Sequence, residues 1–377
     1  MNLFYFLKCS IFIVFIFSMY PWFLWNVEAL YLNVFIAGVV LLFRALYSNF
    51  FDFTAPKLPI VAIIVFFIWL SKSLNVFGII GSILQCSTII LLLFLREEYK
   101  TTIIRFVTRG LAIILGVAMI PYLAFVIGFP LPYEQVTMGD NAYVLDNYYF
   151  FLTNPYNPFR FRGPFLEPGH LTLGLAPLLY LNRYNTKDKF VLILIFAQIL
   201  TFSLAGFIVL FVGFIWYIFI SGEGKGNNTK NIIGLLILFL LVGGIVGFDF
   251  FEDSIISRLA YDESRGTIAG NNRTSDYFDS IYENLMNTPL KWTGIPFDFE
   301  SLEQGVAGYK RYVVEYGLIG VILAASFYIS LLVKRNNKFN IGLIILILLL
   351  LYQDAYPLWW CILLCAILGI QKANKEE

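Results

Sequence analysis

Long apolar runs recur from one end of the chain to the other, separated by short polar or basic connections. Runs of about 17–25 continuously apolar residues suit helices that cross a hydrocarbon layer about 30 Å thick. A transmembrane barrel would instead show period-two alternation. Reading the runs in order predicts twelve helical spans: 3–19, 27–47, 58–71, 75–95, 103–127, 165–182, 189–203, 205–221, 231–248, 313–333, 339–352 and 356–370. The stretch 189–221 must be divided, because one helix at about 1.5 Å per residue would reach about 50 Å. Its natural break is Ser203-Leu204-Ala205-Gly206. The first run holds one basic residue, Lys8, and no small-residue cleavage site follows, so it reads as a span rather than a signal peptide.

Two connections are long, about 128–164 and about 249–312. The first is rich in Tyr, Asn and Pro, as in Tyr148-Tyr149-Phe150-Phe151-Leu152-Thr153-Asn154-Pro155-Tyr156-Asn157-Pro158. The second contains an amphipathic pattern at 275–287, where Tyr277, Phe278, Ile281, Tyr282, Leu285 and Met286 recur at helical spacing. Ser275 or Thr274 is placed to cap that helix, and Pro289 lies just past its end. The expected fold is therefore an all-α polytopic membrane protein of about twelve helices, a single integral membrane domain over 1–377 with two long extracytoplasmic loops.

Basic residues orient this arrangement. Arg44, Lys57, Arg96, Lys100, Arg105, Arg183, Lys187, Lys189, Lys225, Lys230, Lys334, Arg335, Lys338, Lys372 and Lys375 fall on one side if the N-terminus is cytoplasmic. Lys72 is the exception among the short opposite connections. The positive-inside rule then places both termini in the cytoplasm and both long loops outside. Composition agrees, with 59% hydrophobic and only 14% charged residues, against roughly 25% charged in soluble domains. A net charge of +1 gives no field to attract nucleic acid. The four cysteines, Cys9, Cys86, Cys361 and Cys365, lie within apolar runs and read as packing residues.

Candidate chemistry is sparse. There is no glycine-rich phosphate loop and no motif that places a nucleophilic serine on a turn. One histidine leaves no His-based metal site, and no metal or cofactor is expected. Ionisable groups are nearly absent from the middle of the spans, which argues against an ion-coupled transporter. The exception is Arg160-Phe161-Arg162-Gly163-Pro164-Phe165-Leu166-Glu167-Pro168-Gly169-His170, where the first long loop meets a span. Pro168 suits the first position of a helix, with Glu167 at its cap and His170 in its first turn. In the plain structural alternative, Glu167 only complements the helix dipole and the arginines reach for lipid phosphates. A second basic set, Arg258, Arg265, Arg273, Lys310 and Arg311 with Glu315, faces the same side. Guanidinium forks hold phosphate oxygens in bidentate pairs, so two or three of them can bind a diphosphate without a metal.

The segment from Arg162 to His170 resembles the Arg, Gly, aromatic, Glu-Pro pattern of bacterial O-antigen and capsular polysaccharide polymerases. Phe202-Ser203-Leu204-Ala205-Gly206 after a span, Gly294-Ile295-Pro296, and Val314-Glu315-Tyr316-Gly317-Leu318-Ile319-Gly320 extend the resemblance over about 110–335. The resemblance implies a C-type glycosyltransferase-like enzyme in the bacterial cytoplasmic membrane. Such an enzyme joins undecaprenyl-diphosphate-linked repeat units at the outer face, with a flippase and a chain-length regulator as partners. The related ligases place a histidine in the second long loop, where this chain reads Val306-Ala307-Gly308-Tyr309-Lys310-Arg311, which favours a polymerase. An O-antigen ligase or a carrier of lipid-linked sugars is the alternative. On this reading Arg160 or Arg162, with Arg273 or Arg311 and Lys310, holds the diphosphate. Tyr156 and its neighbours offer flat faces to sugars, Glu167 is the first candidate base and His170 the second.

Overall fold

A computed structural model of the chain describes residues 3–53, 57–138, 143–220, 261–262, 267–268, 275–297, 308–353 and 359–370. The expected span 231–248 lies outside the described residues, as do Arg258, Arg265 and Arg273. Among the described residues, helices form over every other expected span: α1 Leu3–Phe17, α2 Ala29–Leu46, α3 Lys57–Leu70, α4 Val76–Leu93, α5 Glu97–Val126, α6 Pro168–Leu181, α7 Lys189–Leu200 and α8 Leu204–Ile215. After the second long connection come α9 Asp276–Met286, α10 Tyr309–Ser330, α11 Lys338–Gln353 and α12 Trp360–Gly369.

Local chemistry sets several of these boundaries. Asn75, Asp188 and Ser203 each accept a backbone N–H in the first turn of α4, α7 and α8, satisfying donors that a helix start leaves open. Phe202 adopts a positive φ of 44° between α7 and α8, so the long run does divide, at 201–203, with Leu204–Gly206 of the expected break already in the first turn of α8. Ser275, rather than Thr274, caps α9 by accepting from the Phe278 amide. Hydropathy does not foresee a small antiparallel sheet in the first loop, with strands β1 Glu134–Met138, β2 Tyr143–Asn147 and β3 Leu152–Thr153. Its register sets Glu134 opposite Asn147 and Asp146 opposite Thr153. Leu145 and Leu152 bury against Leu166, with Trp22, Trp25 and Val136 packed around them. That small core anchors the chain one residue before Glu167.

The helices α2, α4, α5 and α10 are long and apolar enough to cross a membrane, and six others are shorter apolar helices. Large apolar side chains stay exposed along them, among them Leu41, Ile64, Ile68, Phe77, Ile83 and Ile120. A water-soluble monomer rarely exposes so extended an apolar surface, whereas lipid accepts it without cost. The centre of the bundle is held by α12, every residue of which is buried, packed on α1, α4, α5, α6 and α11. Cys361 and Cys365 are fully buried there as free thiols.

Helix ends gather in two groups. At one end, which carries most of the basic residues, Glu97 pairs with Arg335 at 2.8 Å and with Lys100 at 3.7 Å. Arg335 also donates to the Ile370 carbonyl at 3.4 Å. Tyr180 and Trp216 reach the first turn of α11, donating to the Phe339 and Lys338 carbonyls. At the opposite end lie Tyr20–Trp22, Lys72, the first long loop, the α7–α8 turn, and the described part of the second loop. Connections of like parity in the chain therefore meet in space, as an up-and-down bundle requires.

Gly342 in α11 lies against the Tyr180 hydroxyl and the Trp216 indole, where an added Cβ has no room. Gly342→Ala should lower the unfolding midpoint in detergent by the equivalent of about 1–3 kcal/mol. Gly38→Ala, with nothing within 4 Å of the added carbon, should be neutral or stabilising by about 0.5–1 kcal/mol. Equal losses at both positions would contradict this packing.

Candidate functional site

The segment 160–167 is irregular backbone pressed against the bundle ahead of α6, and several of its backbone groups are bonded to distant parts of the chain. The Phe161 amide donates to the Leu200 carbonyl at 2.9 Å, the Trp22 amide to the Pro164 carbonyl at 3.0 Å, and the Leu166 amide to the Tyr20 carbonyl at 3.0 Å. The Leu152 amide of β3 donates to the Gly163 carbonyl at 2.8 Å. Gly163 has φ +56°, a conformation that costs an L-residue about 1–2 kcal/mol. It allows the turn in which the Phe165 amide returns to the Arg162 carbonyl. Phe161 and Phe165 are fully buried, and Tyr122 of α5 meets Phe161 at 4.9 Å while donating to the Phe159 carbonyl. Anchored in this way, the segment presents its charged side chains from a rigid base.

Arg162 is buried, and its Nη1 donates to the Leu166 carbonyl at 2.7 Å. Part of its guanidinium thus holds the loop that carries it. Arg160 is half-buried, with Nε donating to the Thr201 carbonyl in the α7–α8 turn at 3.3 Å. Glu167 stands at the N-cap of α6 with Pro168 at the first helical position, as expected from the sequence. Its carboxylate, however, makes no cap hydrogen bond, so dipole capping through an amide does not account for it. One turn into α6, the His170 ring lies 4.9 Å from Trp359 and 5.7 Å from Tyr20, which are themselves 5.4 Å apart. Behind it, Gln198 donates to Thr172, and Thr172 donates to the Pro168 carbonyl. The first two resemblance segments, 162–170 and 202–206, therefore meet around α6.

The third resemblance segment closes on itself. Gly317 leaves the helical conformation at φ 70°, ψ 178°, which divides α10. The carbonyls this break releases find partners: the Ile295 amide donates to Val314 at 2.8 Å and Trp69 Nε1 to Tyr316 at 2.8 Å. A side chain at Gly294, whose φ is +72°, would sit 2.6 Å from the Glu315 carbonyl oxygen. Lys72, the exception to the charge pattern, lies over the Trp69 ring and donates to the Thr293 carbonyl. Desolvation in that contact lowers its pKa.

Other expected site residues fall in different surroundings. Tyr156 is 96% exposed in the first loop, outside the packed segment. Lys310 pairs with Asp279 at 2.7 Å and lies 5.4 Å from the Tyr282 ring, so Asp279 is a partner in an ion pair as well as part of a solvated helix face. Arg311 begins the same half-helix, and Arg273 lies outside the described residues. Tyr148 stacks on Phe151 at 4.7 Å, and burial, with Asp146 nearby, raises its pKa. Sequence reasoning passed over Tyr20, Trp69 and Trp359, since membrane aromatics are common enough to carry no signal alone. Lys72 did leave one, by breaking the charge alternation. No protein family, no characterised protein and no solved structure matches this chain.

These contacts separate structural from chemical roles. Arg162→Ala strips a buried carbonyl of its donor and should cost about 1–3 kcal/mol, seen as a lower unfolding midpoint and reduced membrane yield. Glu167→Gln loses no cap bond and should lower the midpoint less than Arg162→Ala does. A midpoint that falls as far for Glu167→Gln as for Arg162→Ala would make Glu167 a structural residue.

Proposed function

We propose that this protein is a bacterial cytoplasmic-membrane glycosyltransferase of the O-antigen or capsular polymerase type. It crosses the membrane twelve times with both termini in the cytoplasm. It couples undecaprenyl-diphosphate-linked repeat units at the outer face. The observation that carries this reading is the rigid docking of segment 160–170 onto α1, α6 and the α7–α8 turn. Arg160 is held to the α7–α8 turn, Glu167 stands at the N-cap of α6 and His170 lies between Tyr20 and Trp359, all at the end of the bundle opposite the basic residues. A carrier has no need to set an arginine and an imidazole in fixed protein contacts at one membrane surface. Exposed apolar faces along α2–α5 give prenyl tails a lipid-side approach to that end.

In the proposed reaction, a sugar hydroxyl of the acceptor attacks the anomeric carbon of the donor. The bond from that carbon to the diphosphate oxygen breaks, and the prenyl diphosphate leaves with both bonding electrons. Glu167 takes the hydroxyl proton, a role that typically contributes 10²–10⁴ in rate. Arg160, with basic groups of the second loop, stabilises the charge that grows on the leaving diphosphate. Arg162, buried behind them, holds the loop in register and adds its positive charge from the second row. His170 is the alternative proton acceptor, steadied between two aromatic rings.

Topology is tested with impermeant thiol labelling of whole cells. Tyr156→Cys should react from outside and Lys187→Cys only after the membrane is opened. The reverse pattern would overturn the arrangement. For the reaction, purified protein in lipid would be given radiolabelled lipid-linked repeat unit. Wild type should yield a ladder, and Glu167→Gln should slow it by about 10²–10⁴. Arg160→Lys, which keeps the charge and loses the planar fork, should slow it by about 10-fold or more. Repeat units that merely change leaflet, with no ladder, would favour the carrier.

A further inference from the structure

Beside the second loop, three tyrosines from three different helices lie in a row at the same end of the bundle. Tyr282 of α9 meets Tyr309 of α10 edge-on at 6.1 Å, and Tyr309 stacks on Tyr352 of α11 at 4.6 Å and 18°. Each ring carries a phenol hydroxyl, so the row adds polar groups to its aromatic faces. The Lys310–Asp279 ion pair lies against Tyr282, and both side chains of that pair keep some contact with solvent. Packing of α9 on α10 is already supplied by Phe278, Leu285 and Val314. The tyrosine row stands beside that core, and Tyr352 leaves 65% of its surface open.

We infer that Tyr282, Tyr309 and Tyr352, with the Asp279–Lys310 pair, form a glycan-binding platform that supports the growing chain; this rests on the polymerase reading above. A pyranose ring has an apolar C–H face and a rim of hydroxyls. The platform offers a matching flat face on Tyr352 and a rim that both donates and accepts hydrogen bonds. Asp279, 2.7 Å from the Lys310 ammonium, cancels the charge a phosphate would seek, so a neutral polar ligand suits this place better than the diphosphate. A lipid chain would use neither the ion pair nor the phenol hydroxyls. Lys310 is thereby moved from the diphosphate to the sugar.

The experiment compares Tyr352→Phe and Tyr352→Leu in the ladder assay with radiolabelled lipid-linked repeat unit, alongside membrane yield and unfolding midpoint. Phe keeps the flat face, whereas Leu keeps only apolar surface. Tyr352→Leu should shorten the modal chain about fivefold, the scale of one lost aromatic contact, while joining of the first two units stays within about twofold of wild type. Tyr352→Phe should keep chains near wild-type length. Tyr282→Leu, at the other end of the row, should also shorten chains without slowing the first coupling. Wild-type ladders from both Tyr352→Leu and Tyr282→Leu, or equal shortening by Leu and Phe as an interfacial anchor would give, would overturn the platform and leave the polymerase reading standing. Absence of any ladder from wild type would overturn both.

Discussion

Backbone amides and carbonyls taken out of water must be bonded within the protein, and this constraint governs the loop end of the molecule. Where the chain stays helical, the requirement is met locally. Where it does not, at 160–167, 201–203 and Gly317, each interruption is closed by a partner from elsewhere in the chain. The Trp22 and Leu152 amides and the Leu200 and Tyr20 carbonyls serve the first segment, and Ile295 and Trp69 serve the break in α10. Irregular backbone at membrane depth is tolerated only where protein or a wet cavity receives it. The candidate site is therefore rigid because of its unusual backbone, not in spite of it.

Charge divides the two ends of the bundle by different means. At the basic end, Glu97 joins Arg335 and Lys100, while Arg335 reaches the carbonyl that ends α12. These bonds tie the last helix to the first turn of α5 and fix the core. At the opposite end the described basic residues are individually placed. Arg162 satisfies a carbonyl, Arg160 bridges to a turn, Lys72 fastens the second loop and Lys310 is matched by Asp279. An arginine or lysine near a membrane surface thus cannot be assigned to a ligand by type and position alone; its protein partner decides how much of its charge is left to bind anything else.

Residues named from sequence divide along the same line. Glu167 falls at the N-cap that Pro168 foretold, since a proline suits a first helical turn wherever it occurs. Arg162 was legible as important but not as buried, because burial depends on Leu166 and on a sheet whose strands are too short to show in hydropathy. Trp359 and Tyr20 stand far from His170 in the chain and were readable only as interfacial aromatics. They become its neighbours because α1 and α12 both pack beside α6 or each other in the core.

The sequence by itself determined the helices over the described spans, the division of the 189–221 run, the place of α9 and the alternation of basic connections. Each of these depends on neighbours within a few residues or on transfer of a segment between water and lipid. The central place of α12, the sheet in the first loop, the aromatic enclosure of His170 and the pairing of Lys310 with Asp279 were decided only by tertiary structure. In a bilayer, a buried helix and a lipid-facing one are equally apolar, so hydropathy cannot rank them. Which helix occupies the centre is settled by close fit at residues such as Gly369, set against Leu181, and by hydrogen bonds between distant segments, neither of which has a period in the chain.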